Sequence, residues 1–269
     1  MDFETLGLEP HLVRAVQKLG FVEPTPIQKK AIPTIIEGDR DLVGLAQTGT
    51  GKTAAYGLPL LQLIDFSRSQ VQGLILCPTR ELCVQISKDL VRFSRYVKNA
   101  KIVAVYGGAG MEPQIRQIKK GAQIIAATPG RLLDLIKRGI VNLKNVDYVV
   151  LDEADEMLTM GFLEDLDEIL SKTPSEKRTW LFSATMTAPV ARISKNYMKD
   201  YTEITIGRKN SGAGNISHYK YVVMEKDRYS ALKRIIDYHP NIFSLVFCRT
   251  RRETQAVAEK LIKDGYNAE

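Results

Sequence analysis

The residues best equipped for chemistry stand in one run, Ala46-Gln47-Thr48-Gly49-Thr50-Gly51-Lys52-Thr53. An apolar stretch at 41–45 precedes it and a helix-like segment from Ala54 follows, the strand–turn–helix setting that a phosphate-binding loop requires. Gly49 and Gly51 can take positive φ and let backbone N–H groups approach phosphate oxygens, while the helix behind them points its positive end at the same anion. Lys52 would neutralise the β and γ phosphates of ATP, and the Thr53 hydroxyl would ligate Mg²⁺. The generic pattern has glycine where this chain has Ala46, so the run is one residue short of the strict motif. The alternative is a glycine-rich surface turn.

A second constellation, Asp152-Glu153-Ala154-Asp155, follows an apolar run. Two carboxylates there are costly to desolvate unless they meet a metal or water. Asp152 would share the Mg²⁺ with Thr53, partly through water, and Glu153 would accept a proton from an attacking water. Taken alone, such a cluster also fits a solvated loop or a helix start. Ser183 and Thr185 sit two apart, so in extended chain both hydroxyls face one side. They would bond Asp155 and couple the nucleotide site to another, or form a plain strand-end turn. Arg80 and Arg131 stand at expected helix starts beside small polar neighbours, Pro78-Thr79 and Thr128, and Gly107-Gly108 ends another apolar run. Singly, each arginine fits a surface ion pair; on one edge they would hold a polyanion by its phosphates. No aromatic stripe for base stacking accompanies them, which favours sequence-independent binding.

The elements that must position these residues are legible from the pattern. Helical spacing predicts helices at 10–18 and 26–36. From Asp41 onward short apolar runs (42–45, 73–77, 101–106, 123–127, 148–151, 179–182 and 203–206) alternate with helix-patterned segments (81–93, 112–120, 131–137, 163–170 and 189–198). Continuous apolar strands alternating with amphipathic helices predict an α/β fold, a parallel sheet with helices on both faces. Ligands of such sheets bind beyond the carboxyl ends of the strands, where every motif above falls.

Residues 207–214 read as a flexible basic linker. Beyond it, strands at 219–223 and 245–248 and helices at 229–238 and 253–263 would open a second, incomplete α/β domain. The expected domains are thus 1–206, the linker, and 215–269. The net charge is +7, which favours polyanionic partners or serves solubility alone. No apolar run has the length of a membrane span, and Met1-Asp2-Phe3-Glu4 lacks the basic start of a signal peptide. The three cysteines have no metal spacing; Cys77 and Cys248 lie in apolar runs and read as buried free thiols, fitting a reducing cytoplasm.

With these residues in view, the chain resembles the DEAD-box RNA helicases of helicase superfamily 2, whose name is spelled by residues 152–155. The stretch Gly20-Phe21-Val22-Glu23-Pro24-Thr25-Pro26-Ile27-Gln28 resembles the adenine-recognising Q motif. The likeness implies that Gln28 reads the adenine edge, that Phe3 packs near the ring, and that Ala46 is the ordinary first residue of the phosphate loop. It further implies RecA-like folding and RNA contacts from residues 78–82, 107–108 and 128–131. Residues 183–185 become a coupling motif, and 245–250 the first motif of a second domain. The expected activity is ATP hydrolysis coupled to RNA binding and local duplex unwinding. The family's Arg-Gly-Asp-type and His-Arg-x-Gly-Arg-x-Gly-Arg motifs do not occur up to Glu269. An arginine finger contributes about 10³–10⁵ in rate in related NTPases. The chain therefore reads as a truncated, catalytically weak form, or alternatively as a non-catalytic RNA-binding competitor.

Overall fold

The computed structural model describes residues 2–207, 217 and 219–269. The chain divides into two compact units, Met1–Ala213 and Gly214–Glu269. The expected linker lies, from residue 208 to 214, outside the described residues.

The first unit opens with α1 (Pro10–Lys18) and α2 (Pro26–Glu37). Each starts on a proline, which suits the first turn because its N–H has no intrahelical partner there. Strands and helices then follow in turn: β1 (Asp41–Leu45), α3 (Lys52–Leu63), β2 (Gly73–Leu76), α4 (Arg80–Phe93), β3 (Ile102–Val105) and α5 (Met111–Lys119). After these come β4 (Ile124–Ala127), α6 (Pro129–Lys137), β5 (Tyr148–Asp152), α7 (Ala154–Thr159), α8 (Leu163–Leu170), β6 (Arg178–Ser183), α9 (Ala188–Tyr197) and β7 (Tyr201–Thr205).

The strands form one seven-stranded sheet in the order β3-β4-β2-β5-β6-β1-β7, with every neighbouring pair parallel. This is the predicted sheet. The inner strands β1, β2 and β4 are buried along their whole length and β5 and β6 beyond their first residue, whereas the edge strands β3 and β7 are not. That difference follows from helices covering both faces of the interior. Alternate residues feed two cores. Leu42, Ile75, Val150, Trp180 and Phe182 pack under α1 to α4; Val43, Leu74, Val149 and Leu181 pack under α5, α6, α8 and α9. Gly44 is required by this packing, because a Cβ there would lie 2.7 Å from the Phe182 ring. Burying such a ring contributes about 1.5–3 kcal/mol.

Arg178 fastens α2 to the far end of the sheet. Its guanidinium donates to the Ile35 carbonyl (3.3 Å) and to that of Gly38, and lies over the Tyr148 ring, 4.8 Å from its centroid. Cys77 and Cys83 are buried free thiols, as the apolar run around Cys77 led one to expect; Cys248 is free but half-buried.

In the second unit α10 (Arg228–Tyr238) and α11 (Arg251–Lys263) form where expected. The strands anticipated at 219–223 and 245–248 do not form. A strand's backbone groups need a neighbouring strand, and none is paired in this unit among the described residues. Their side chains lie open, with Val222 86 % and Phe247 90 % exposed. Leu261 is the one buried residue described here. Polar clasps hold the helices instead: the Tyr229 hydroxyl and Lys233 ammonium both donate to Asp264 Oδ2, at 2.9 and 2.7 Å.

Candidate active site

The register of the sheet sets the site. Leu45 lies opposite Ser183 and Asp152 opposite Phe182, so the loops after β1, β5 and β6 leave from neighbouring points. Ala46 continues the ladder by donating to the Ser183 carbonyl at 3.0 Å. The chain then turns through Gly49 and Gly51, both at positive φ, into α3. Gly51 has a second constraint, because a Cβ there would collide with the Gln28 carboxamide.

Lys52 opens α3. Its side chain is buried, and Nζ has no hydrogen-bond partner. An unanswered buried ammonium costs several kcal/mol unless an anion joins it. Its charge acts on Asp152, which ends β5 and is 2 % exposed. Burial pushes the Asp152 carboxyl above its ordinary range; Lys52 and a hydrogen bond from Tyr56 act against that rise. The Tyr56 hydroxyl donates to Asp152 Oδ2 at 2.8 Å, and the Glu153 N–H to Oδ1 at 3.0 Å. Burial first, and then Asp152, drive the Tyr56 phenol well up, so it remains a donor.

Glu153 adopts a left-handed backbone, φ 52 and ψ 50, at the N-cap of α7. Non-glycine residues rarely hold that conformation, and it clusters at functional positions. Its Oε1 accepts from the Thr48 hydroxyl at 3.2 Å, which ties the acidic run to the glycine turn. Thr50 closes the turn by donating to the Gln47 carbonyl at 2.7 Å.

Asp155 faces β6. Its Oδ2 accepts from the Thr185 hydroxyl (2.7 Å) and N–H (2.9 Å), while its own N–H donates to Ser183 Oγ at 3.3 Å. Burial works to raise its pKa, but the bonds from Thr185 and Ser183 outweigh it and hold the carboxyl below its ordinary value. Ser183, Thr185 and Asp155 therefore meet, and Ser183 Oγ also donates to the Thr185 carbonyl at 2.8 Å within the strand-end turn.

Gln28 is 3 % exposed. Its Oε1 accepts from the Thr25 N–H (2.9 Å), completing a capping box with Thr25, and its Nε2 donates to the Gly51 carbonyl at 3.0 Å. Gln28 thus braces the glycine turn directly. Phe3 lies in the core, 3 % exposed, with its ring 6.1 Å from that of Phe21.

A second group gathers at the ends of β2, β4 and β3, also neighbours in the sheet. Pro78 leads to Thr79, whose hydroxyl caps α4 by accepting from the Leu82 N–H at 3.2 Å. Thr128 takes the N-cap position of α6. Arg80 donates to the Gly108 carbonyl at 3.2 Å and stacks over Tyr106. Arg131 donates from both terminal nitrogens to the Ala109 carbonyl, each at 3.2 Å. Both arginines thus converge on one loop that begins at Gly107. Neither has a carboxylate partner among the described ion pairs.

Two participants escape a reading of motifs. Tyr56 lies one helical turn after Lys52, on the same face of α3, and that spacing was the available signal. Ala109 acts through its carbonyl, which no side-chain pattern reveals.

A parallel sheet with a phosphate-loop geometry after β1 and paired carboxylates after β5, with β6 between them, is the arrangement of P-loop nucleotide-binding proteins, and comparison with known proteins gives the family. The DEAD/DEAH box helicase family model matches residues 25–193. The chain is 43 % identical, over 99 % of its length and 57 % of the relative's, to a DEAD-box ATP-dependent RNA helicase CshA from Geobacillus kaustophilus. It is 45 % identical, over 99 % of its length and 51 % of the relative's, to the ATP-dependent RNA helicase CshA of Listeria monocytogenes. The crystal structure of a DEAD box protein from the hyperthermophile Methanococcus jannaschii superposes with a TM-score of 0.73 at 41 % identity, covering 98 % of this chain and 71 % of that one. This chain belongs to the DEAD/DEAH box helicase family, with the RecA-like fold of its structural neighbours. It spans about half the length of the curated relatives it matches.

Proposed function

We propose that this chain is the ATP-binding and RNA-engaging part of an ATP-dependent RNA helicase. The observation that carries this is the buried, unpartnered Lys52 ammonium set beside the buried Asp152 carboxylate. Ala46, Gln47, Thr48, Gly49, Thr50 and Gly51 would wrap the phosphates of ATP, with Lys52 supplying the counter-charge. Gln28 would read adenine while bracing Gly51, and Phe3 would support the ring's surroundings through Phe21.

The residues present fit Mg²⁺. One buried carboxylate, Asp152, and the Thr53 hydroxyl are the protein share of an ion completed by phosphate oxygens and water. Among the described residues no cluster of three acidic, histidine or cysteine ligands exists that would hold an ion unaided. When bound, the ion would neutralise charge on the phosphate oxygens. Tyr56 would fix the Asp152 carboxylate, and Glu153, positioned by Thr48, would accept a proton from the attacking water.

Pro78, Thr79, Arg80, Gly107, Gly108, Thr128 and Arg131 would track a sugar–phosphate backbone without reading sequence. Asp155, Ser183 and Thr185 would couple the two sites. Among the described residues no helix is long and apolar enough to cross a membrane, and the buried free thiols suit a cytoplasmic location. The test is phosphate release from ATP by the protein at its relatives' full length, with and without single-stranded RNA. Stimulation by RNA, lost in Glu153→Gln, is expected; a rate indifferent to RNA would overturn the helicase reading.

A further inference from the structure

The edge of the sheet beside β3 carries a site next to the arginine pair, with Tyr106, which lies under Arg80, at its border. A groove of about 400 Å³ runs between α4 and α5 with β3 as its floor, lined by Val84, Lys88, Ile102, Ala104, Tyr106 and Gln114 among others. β3 has one neighbour, β4. Toward it, the Lys101 carbonyl accepts from Ile124 N–H and the Val105 carbonyl from Thr128 N–H, so in a parallel ladder the odd-numbered residues face β4. The backbone groups of Ile102, Ala104 and Tyr106 therefore face the groove. Those of Tyr106 are already answered. Gln114 Oε1 accepts from the Tyr106 N–H (3.2 Å) and Gln114 Nε2 donates to the Tyr106 carbonyl (3.1 Å), which is the pairing another strand's amide would make. Ile102 and Ala104 have no such partner among the described residues.

The surrounding charge names the complement. Residues 80–120, which supply α4, β3 and α5, hold nine Lys and Arg against three Asp and Glu. Lys88 lines it, and Arg116 and Lys119 stand exposed on α5. We propose that the β3 edge is a docking site for an extended acidic polypeptide, which adds to the sheet as an eighth strand. The N–H and C=O groups of Ile102 and Ala104 supply the ladder, alternate apolar side chains rest on Ile102, Ala104 and Val84, and the acidic side chains meet Lys88. An RNA strand would satisfy the charge but not the paired donors and acceptors of the open edge, so the polypeptide is favoured. This inference stands apart from the nucleotide reading.

The experiment uses the whole chain and a fluorescein-labelled synthetic decapeptide alternating Glu with Val, followed by anisotropy, with a Lys–Val decapeptide as control. Saturable binding of the acidic peptide alone is expected, with slowed hydrogen exchange of the segment from Lys101 to Tyr106. Lys88→Glu should weaken it at least fivefold. Ala104→Pro, which removes an outward N–H not used by the β4 ladder, should do the same while ATP affinity stays unchanged. Binding without protection of the β3 segment would overturn the strand-addition geometry. Equal binding of both peptides would do so too, as would displacement of the peptide by oligouridine with protection of the same segment.

Discussion

The two halves of the sheet's carboxyl edge are finished to different degrees. After β1, β5 and β6, charge is left unmet: Lys52 Nζ lacks a partner, Asp152 is held above its ordinary pKa by burial, and Glu153 sits in a left-handed backbone. After β2, β4 and β3, the arginines are already anchored to the carbonyls of Gly108 and Ala109. The first half gains most from one particular ligand, an anion with its own cation, because only that answers both buried charges. The second half is pre-ordered and has spare donors, which suits the polyanion backbone proposed for it.

The largest effect that would break this contrast comes from the unmet half. Lys52→Ala should weaken ATP binding by about 10²-fold or more, as removing one member of a buried charge pair does. Calorimetry with and without Mg²⁺ measures it, and an unchanged affinity would remove the phosphate-loop assignment. In the anchored half, Arg131→Ala should weaken single-stranded RNA binding about tenfold, equivalent to ~1.4 kcal/mol. The slope of log affinity against log salt should fall by about one. If ATP affinity fell as steeply, the two halves would not be separate. Gln28→Ala should cost a smaller factor, roughly three- to fivefold in ATP affinity from loss of one bond of order 1 kcal/mol, with reduced preference over GTP. Competition between the two nucleotides checks it; full preference in the variant would place base recognition elsewhere.

The smallest expected effect sharpens the contrast from inside the nucleotide half. Asp155 is the carboxylate there whose hydrogen bonds outweigh its burial, so its pKa lies below the ordinary value. Its stabilisation is present above the unfolded pKa of about 3.9 and is lost as pH falls through the lower folded value. Thr185→Ala should lower Tm by about 2–4 °C at neutral pH and move acid unfolding to higher pH. The difference should vanish once Asp155 is protonated in both proteins. A constant gap across the acid range would mean that Thr185 acts through packing alone.

The first unit was legible because its strands are buried on both faces. Runs such as Leu74-Ile75-Leu76 and Val149-Val150-Leu151 stay apolar throughout, and the parallel topology delivers every motif to one edge. Proximity across the sheet was less so. Nothing in the spacing puts Thr48 beside Glu153, 105 positions later, or sends Gln28 back to Gly51. Those contacts depend on strand order, which the pattern leaves open. In the second unit, residues 219–223 and 245–248 carry the composition of strands but form none. Composition reports what a segment suits, whereas a strand also needs a neighbour to complete its hydrogen bonds.

One helix gives the molecule an unexpected reach. α2 holds the glycine turn at its first end through Gln28, and Arg178 grips its last carbonyls at the other. Twelve residues of α-helix make a strut about 18 Å long. Loosening the bolt at the bottom of the sheet would free the strut, and with it the glycine turn proposed to hold the triphosphate. Inheritable variation far from any ligand therefore has a mechanical route to nucleotide affinity.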